Sequence, residues 1–458
     1  MIKRYYIFVL LILQGVSVLG REVQTSIPIV KLSFEALDRD TFSAATMQFI
    51  EGEDTLSLNA TIRQRGRSTA KYEKQSFALK IYDEDGEKTD VSFMGMRSDN
   101  YWILDAMAPD KARMRNRVAM DLWLDFSANP YYINDEPKLK NGTEGQFVEV
   151  YVNESYNGLY CLTERVDRKQ LKLQKEKKGV VHGVLYKSDS WQGNFFVYPL
   201  PYDNKSGTWM RYSFEYPDVE DSLITWEPLY NDYYFVYASE EEEFVSDVKN
   251  RFDVPVFTDY DLFTLLLEAQ DNLGKNLYLS YYDIAKASKV VITPWDIDHS
   301  WGRDYKGEET DPLQHHRMGS NGSVYQRLRD EVPGYTDEVK AHYAALREDV
   351  FSADSLKARF HAYFDLFRST GAGLREQERW NGIDDIDLDF EGEETYIDQW
   401  IDARVPYIDA LFDYHTEPEV PTGVENTQSA VSTQKIVRNG QLFILREGKL
   451  YNAQGMEL

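Results

Sequence analysis

The hydrophobic pattern of this 458-residue chain changes from a period of two to a period near 3.6, which limits the folds open to it. Between residues 29 and 166, short segments alternate apolar and polar side chains and end in acidic turns, as β-strands do. Residues 74–81 are the clearest case, because every second residue from Phe77 onward is apolar. After Arg303 the pattern is mainly helical. Strands followed by helices predict an α+β fold.

The same patterns predict individual elements. A hairpin is expected around Asn157-Gly158, a residue pair that favours tight turns, and Cys161 is expected to lie buried in its second strand. The aromatic and acidic stretch 187–251 gives no clear secondary structure, and its acidic run 240–243 is expected to face solvent. The predicted strands are 29–34, 41–50, 56–63, 74–81, 147–152, 159–166, 277–282 and 289–293, and the predicted helices are 111–125, 260–269, 336–347, 355–367 and 396–414.

The first twenty residues have the composition of a secretory signal peptide. Lys3 and Arg4 give a positive start, residues 5–13 are apolar, and small residues precede Arg21. We therefore expect export to the periplasm, the cell surface or the medium. No later stretch of the sequence approaches about 18 apolar residues, so no transmembrane segment is expected in the mature chain.

The charge balance argues against nucleic acid as a partner. The chain has 51 Lys and Arg residues against 77 Asp and Glu residues, which gives a formal net charge of −26. Such a surface repels a phosphate backbone. Negative charge suits divalent cations, although it is also an ordinary means of staying soluble.

Residues 260–301 contain carboxylate and amide side chains in an order that suits metal-dependent phosphoryl transfer. A predicted helix leads to Asp271, and Asn276 follows five positions later, the spacing at which protein kinases place a catalytic Asp and a metal-binding Asn. Two predicted strands then lead to Asp296 and Asp298, at the position of the magnesium-binding Asp of a kinase.

Lys275 directly precedes Asn276 and is a second catalytic candidate, because it can reach a transferring phosphate. Each piece of the pattern also has a structural explanation, since Asp, Asn and Gly commonly cap helices and form turns. Asp296 and Asp298 fit the start of a surface loop equally well. The residues leave both explanations open, because the combined order of helix, loop, hairpin and paired Asp is less easily explained by capping and turns than each piece alone.

A series of short motifs runs in a fixed order between about residues 30 and 415. The motifs are Arg63-Gln64-Arg65-Gly66-Arg67-Ser68, Lys74-Gln75-Ser76-Phe77-Ala78-Leu79-Lys80, Trp102-Ile103-Leu104, Met114-Arg115-Asn116, Glu149-Val150-Tyr151-Val152-Asn153, Asn157-Gly158-Leu159-Tyr160, Thr163-Glu164-Arg165-Val166 and Pro294-Trp295-Asp296-Ile297-Asp298-His299-Ser300-Trp301-Gly302. In this order they resemble the CotH kinase family, the atypical kinases named after a spore-coat protein.

The resemblance implies a two-lobed, atypical protein-kinase-like domain with a helical C-terminal part. It implies ATP as phosphate donor, Mg²⁺ or Mn²⁺ as cofactor, and a hydroxyl-bearing protein or envelope substrate as acceptor. The sequence departs from ordinary protein kinases, because it has neither a G-x-G-x-x-G loop nor His-Arg before the catalytic Asp. The implied roles are nucleotide binding by Arg65, Ser68, Lys74, Lys80 and Glu164, catalysis by Asp271 and Lys275, and metal binding by Asn276, Asp296 and Asp298.

Six regions follow from these patterns. They are a signal peptide (1–20), a β-rich N-terminal lobe (21–186), an aromatic insert followed by the catalytic and metal loops (187–303), a helical C-terminal part (304–415), a linker (416–434) and a small two-strand module (435–458) that turns at Asn439-Gly440 and Glu447-Gly448.

Two other functions fit parts of the sequence. A surface binding or structural protein that keeps the fold without the activity is the main alternative, because ATP is scarce outside the cytoplasm. A glycoside hydrolase also uses paired carboxylates and aromatic side chains, but it has no need for the Asp271–Asn276 spacing. His299 is expected to be a structural neighbour of the Asp pair, and adjacent His315 and His316 do not suggest zinc.

Overall fold

The computed structural model describes residues 24–66, 69–190, 195–217, 223–319 and 322–415, and three strands between residues 433 and 452. These residues form both sheets and helices, which confirms the α+β prediction. The predicted signal peptide, Ser68 and most of the predicted linker lie outside the described residues. The chain divides into one compact unit that ends at Tyr414 and another that begins at His415.

The first unit begins with a closed barrel of seven strands in the order β1-β2-β3-β4-β5-β7-β6. Neighbouring strands are antiparallel except β1 and β6, whose parallel pairing closes the barrel. Its interior is filled by apolar side chains such as Phe77, Leu79 and Ile81, which confirms the predicted inward face. The strands are β1 (Ile29–Phe34), β2 (Ser43–Glu51), β3 (Asp54–Arg65), β4 (Ser76–Tyr82), β5 (Tyr101–Asp105), β6 (Gly145–Val152) and β7 (Ser155–Thr163).

A second, antiparallel sheet has the strand order β12-β11-β8-β10-β9. Two of its strands lie within the aromatic stretch 187–251, whose structure the sequence pattern did not predict, and a third ends just inside it. Every residue of β11 and β12 is buried, because the sheet is covered on both faces there. The strands are β8 (Val184–Ser188), β9 (Thr208–Trp209), β10 (Tyr212–Tyr216), β11 (Leu277–Tyr281) and β12 (Val290–Pro294).

Helices surround the second sheet and fill the region after residue 322. Helix α4 is mostly apolar, and all its residues except Pro255 are buried, so it is the central helix of this part. In the part of the chain that the structure describes, no helix combines the length and the apolar character needed to cross a bilayer. The helices are α1 (Arg115–Phe126), α2 (Glu227–Ala238), α3 (Glu241–Arg251), α4 (Val254–Leu267), α5 (Val324–Glu331), α6 (Tyr335–Arg347), α7 (Ala353–Thr370), α8 (Ala372–Trp380) and α9 (Phe390–Leu411).

The turn between β6 and β7 lies elsewhere than predicted. The chain reverses at Asn153 and Glu154, which both have positive φ, whereas Asn157-Gly158 lies inside β7. Gly158 is needed there because helix α8 packs against the strand, and a Cβ atom would lie 2.3 Å from Glu376 Oε2 and 2.6 Å from the Trp380 ring nitrogen. The glycine thus serves close packing, which local sequence does not distinguish from a turn. Cys161 is buried in β7, as predicted.

Glu376 of α8 connects the helical part to the barrel through a buried network. Its Oε1 lies 2.7 Å from Lys74 Nζ and 2.7 Å from Arg113 Nε, and its Oε2 accepts the backbone N–H of Leu159 at 2.7 Å. All three charged side chains are fully buried. Burial alone would raise the pKa of Glu376, but Lys74 and Arg113 lower it below the ordinary value.

The second unit contains a three-stranded antiparallel sheet rather than the predicted two-strand module. Its strands are β13 (Thr433–Arg438), β14 (Gln441–Arg446) and β15 (Lys449–Asn452). Asn439-Gly440 and Glu447-Gly448, where turns were predicted, lie outside the described residues. The predicted start of the module at residue 435 is two residues late.

Replacing Glu376 by Gln leaves two cations buried without a carboxylate. We expect the free energy of unfolding to fall by about 3–5 kcal/mol, measured by urea denaturation. Because the pKa of Glu376 is lowered in the folded state, this difference should be complete above the ordinary glutamate pKa of about 4.3 and shrink below it. The control is Glu378→Gln at an exposed position of the same helix, which should change stability by less than about 0.5 kcal/mol. Equal losses in the two variants would contradict this role.

Candidate active site

The outer face of the barrel and the loops that follow α4, β8 and β12 surround a cavity of about 650 Å³. Its lining includes Ser76, Ile103 and Asp105 from the barrel side. The structure brings together the following predicted site residues in its wall: Arg65, Asp271, Lys275, Asn276, Asp296 and Asp298.

Asp271 is positioned by the end of α4. The helix stops at Glu268, whose φ of 53° is left-handed, and one 3-10 turn, Gln270–Leu273, then presents Asp271 to the cavity. Its Oδ2 lies 2.6 Å from Lys275 Nζ and 3.0 Å from His299 Nδ1. The first catalytic candidate is therefore in contact with the second, and with the histidine expected to be a neighbour of the Asp pair.

The charges around Asp271 alternate. Burial alone would raise the pKa of Asp271, but hydrogen bonds from His299 and Lys275 lower it well below the ordinary value, so this carboxylate stays ionised. His299 Nε2 also lies 3.5 Å from Asp298 Oδ2. Burial opposes protonation of His299, but Asp298 and Asp271 together raise its pKa. For Asp298 the pKa is raised, chiefly by burial, and the neighbouring charge of Asp296 adds to this.

Asn272 joins the two polar loops of the site. Its side-chain Nδ2 donates to the backbone carbonyl of Asn276 at 3.0 Å and to that of Trp295 at 2.8 Å, and the residue is fully buried. Asn276 in turn donates through Nδ2 to the carbonyl of Asp296 at 3.3 Å. These hydrogen bonds hold the loop after α4 and the loop after β12 at a fixed distance from each other. The side chain of Asn272 does not line the cavity among the described residues. In the sequence, Asn272 was marked only by its position next to Asp271.

Asn116 of α1 links the loop after β12 to the barrel. Its Oδ1 accepts the backbone N–H of Ile297 at 3.0 Å, and its Nδ2 donates to Asp105 Oδ2 at 3.4 Å. Asp105 ends β5 and lines the cavity. Burial raises its pKa, and the charge of Asp296 adds to the effect. Asn116 stood within a motif of the resemblance, whereas nothing in the sequence marked Asp105.

The loop side chains suit a divalent cation that is shared with a substrate. Asn276, Asp296 and Asp298 offer oxygen ligands, which Mg²⁺ prefers. Asp298 Oδ1 is buried and has no hydrogen-bond partner among the described residues, so one lone-pair site remains for a cation. Over the same residues, no group of three or more His, Cys, Asp or Glu side chains is arranged to hold a metal alone.

Basic side chains lie in the wall of the same cavity. Arg65, at the end of β3, lies with its guanidinium 5.7 Å from the centre of the Trp295 ring. Arg39, Arg63 and Lys187 also line the cavity and were not predicted. Arg63 belonged to the first motif of the resemblance, whereas Arg39 and Lys187 had no sequence signal. Anionic phosphate groups would be attracted to this wall.

The remaining predicted nucleotide residues do not line the cavity within the described part of the chain. Lys74 is fully buried in the Glu376 network. Lys80 lies farther along β4, with its ammonium 4.2 Å from the centre of the Phe42 ring. The carboxylate of Glu164 is buried and accepts backbone N–H groups. The roles of all three were implied by the resemblance, and alternation placed only Lys74 and Lys80 on one strand face, without giving their position relative to the cavity. Ser68 lies outside the described residues.

Comparison with protein families agrees with this geometry. The family model described as CotH kinase protein matches residues 62–408, which is more than half of the chain. The chain belongs to this family. It is also similar to the inner spore coat protein H of Bacillus subtilis (strain 168), with 21% identity over 355 residues that cover 75% of this chain and 88% of that protein. The family predicted from the motifs is thereby confirmed.

Replacing Asn272 by Ala tests the link between the two loops. The carbonyls of Asn276 and Trp295 would lose their shared donor, and the free energy of unfolding should fall by about 1–3 kcal/mol. Chemical denaturation measures this loss. Asn250→Ala is the matched control, because Asn250 makes only an exposed contact with Asp247, and its effect should stay within about 0.5 kcal/mol. A neutral Asn272→Ala variant would contradict the link.

Proposed function

We propose that this CotH family member is an exported, metal-dependent phosphotransferase that moves phosphate from ATP to hydroxyl groups of a protein or envelope acceptor. One observation carries the proposal: a single cavity contains an ionised Asp271, the oxygen ligands of two fixed loops, and several cations. Phosphoryl transfer requires these three kinds of group and little other chemistry from the protein.

The proposal extends to a two-lobed, kinase-like architecture. The barrel has its own apolar core, separate from the core shared by the second sheet and the helices. The cavity is lined by residues from both parts. In this arrangement the barrel is the nucleotide-side lobe, and the second sheet with its helices is the lobe that carries Asp271 and the metal loops.

Asp271 would orient the acceptor hydroxyl and accept its proton. Lys275 lies 2.6 Å from that carboxylate, so it holds the side chain in place and offers a cation to the transferring phosphate. His299 contacts the same carboxylate through Nδ1 and contacts Asp298 through Nε2, so it connects the two side chains. These contacts orient the carboxylate before the substrate arrives, which is the main contribution a protein makes to such a reaction.

Asn276, Asp296 and Asp298 would hold Mg²⁺ or Mn²⁺. The bound cation would neutralise negative charge on the β- and γ-phosphates of ATP. Arg65 would contact the phosphates from the barrel side, together with Arg63 and Lys187, which line the same cavity. We assign no nucleotide contact to Lys74, Lys80 or Glu164, because their described contacts lie away from the cavity.

The acceptor and the location are proposed from the curated relative and from the N-terminal residues. The curated relative is a spore coat protein by name, which supports an envelope or surface location. The signal-like residues 1–20 support export. The second candidate function is a binding protein without transfer activity. It is favoured by the two cations on Asp271, since they lower the basicity of this carboxylate.

Two substitutions separate the proposed roles. Asp296→Asn should weaken MgATP binding and transfer together, because it removes charge that holds the cation. Asp271→Asn should leave MgATP binding nearly unchanged and lower the transfer rate by roughly 10²-fold or more. Calorimetric titration with MgATP and phosphate incorporation from labelled ATP measure the two effects. Asp330→Asn, at an exposed position of α5 that does not line the cavity, is the control and should change neither.

The outcomes distinguish the candidate functions. MgATP binding without transfer by wild-type protein, over a broad panel of acceptors and with either metal, supports the binding protein and contradicts the transferase. Absence of MgATP binding contradicts both. Equal loss of MgATP binding in the two variants contradicts only the division of roles between Asp271 and Asp296.

Export has its own test. If residues 1–20 are a signal peptide, expression in a Gram-negative host should yield exported protein that lacks about its first twenty residues. Mass spectrometry of the mature N-terminus measures this. Exported protein that still begins at Met1 would contradict the assignment.

A further inference from the structure

A second cavity, of about 420 Å³, lies at the first turn of α4. The other end of this helix leads into the 3-10 turn that carries Asp271. Residues at the end of α3 and along α6 complete the wall, together with the loop after α1 and the residue before β12. Among the described residues, this cavity and the candidate active site share no lining residue.

The floor of this second cavity is apolar. Phe252 and Val254 form one side, and Tyr335 and Val339 of α6 form the other; all four are buried. The Tyr335 hydroxyl is already satisfied, since it lies 2.9 Å from Thr258 Oγ1. This floor therefore favours a hydrocarbon ligand. Moving such a group out of water is favourable, and the floor offers no unsatisfied hydroxyl that would need a hydrogen bond.

The rim of the same cavity is cationic. Lys249, Lys289 and His342 line it. His342 Nε2 lies 2.6 Å from Asp259 Oδ1, and the hydrogen bond to this buried carboxylate raises the pKa of His342. Since the charge of Asp259 is balanced by His342, exposed Glu338 is the remaining carboxylate of the wall. The lining residues therefore have one more cation than carboxylates, on a chain whose formal charge is −26, while buried Asp253, outside the lining, lies close enough to Lys289 to interact with its charge.

We propose that this cavity binds a small anionic amphiphile, a molecule with a hydrocarbon chain and one carboxylate head. The chain would cover the floor formed by α4 and α6, and the head would lie near Lys249 and Lys289. Each methylene group removed from water contributes about 0.8 kcal/mol, and the two lysines select against a cationic head. The site does not depend on the proposed phosphotransferase activity, although its ligand would contact the helix that positions Asp271.

Calorimetric titration of the full chain with decanoate, below its micelle concentration, tests the proposal. We expect saturable one-to-one binding, with at least tenfold weaker binding of decyltrimethylammonium, which has the same chain and the opposite charge. Lys249→Glu with Lys289→Glu should weaken decanoate binding at least tenfold. Lys286→Glu makes the same kind of charge change at an exposed lysine outside the cavity, and it should alter the Kd less than twofold.

Three results would overturn the proposal. They are absence of saturable decanoate binding to the wild-type protein, equal affinity for the two amphiphiles, and equal weakening by Lys286→Glu and the double variant. An unchanged melting temperature establishes that the double variant is folded. If it is not folded, the single variant Lys249→Glu at an exposed position replaces it, with at least threefold weaker binding expected.

Discussion

A carboxylate placed where water cannot reach it must find cations, and the helical part of this protein is built around that requirement. Glu376 of α8 contacts Lys74 and Arg113. Glu393 of α9 contacts Arg115 and Arg303 in the same manner. Removing one partner of such a pair leaves an uncompensated buried charge, which costs far more than an exposed ion pair contributes. These pairs join helices near the C-terminus to segments near the barrel, so the late helices have one possible arrangement.

The candidate active site depends on this frame. Arg115 and Asn116 are consecutive residues of α1. The first is held by Glu393 and the second holds the backbone of Ile297. The loop with Asp296 and Asp298 is therefore attached to the turn of α1 that also carries the buried Arg115–Glu393 ion pair. Two like carboxylates close together repel each other, so their spacing depends on a fixed backbone. The stability of the helical part and the chemistry of the cavity thus share one set of contacts.

Patterns of local origin were predictable from the sequence. The alternation of Phe77, Leu79 and Ile81 gave the inward face of β4, and the spacing of Asp271 and Asn276 gave two residues that do meet in one cavity. Such features depend only on the period of an element or on the order of neighbouring residues. The motif order also gave the family, which the family model confirms.

Contacts between distant segments were not predictable in this way. Lys74 was assigned to the nucleotide from the family resemblance, yet its partner Glu376 lies 302 positions away in the chain. Gly158 was interpreted as a turn residue because Asn-Gly pairs favour tight turns, whereas the helix that packs on it is distant in sequence. Closure of the barrel by β1 and β6 is likewise a pairing between remote strands. Single-sequence periodicity contains no information about such pairings.

A crystal structure with Mn²⁺ and a non-hydrolysable ATP analogue, recorded at a wavelength where manganese scatters anomalously, is the most direct test of the proposed chemistry. The predicted result is an anomalous peak in contact with Asn276, Asp296 and Asp298, with the terminal phosphate between this peak and Asp271. A nucleotide bound outside the cavity, or a cation bound away from these three side chains, would contradict it.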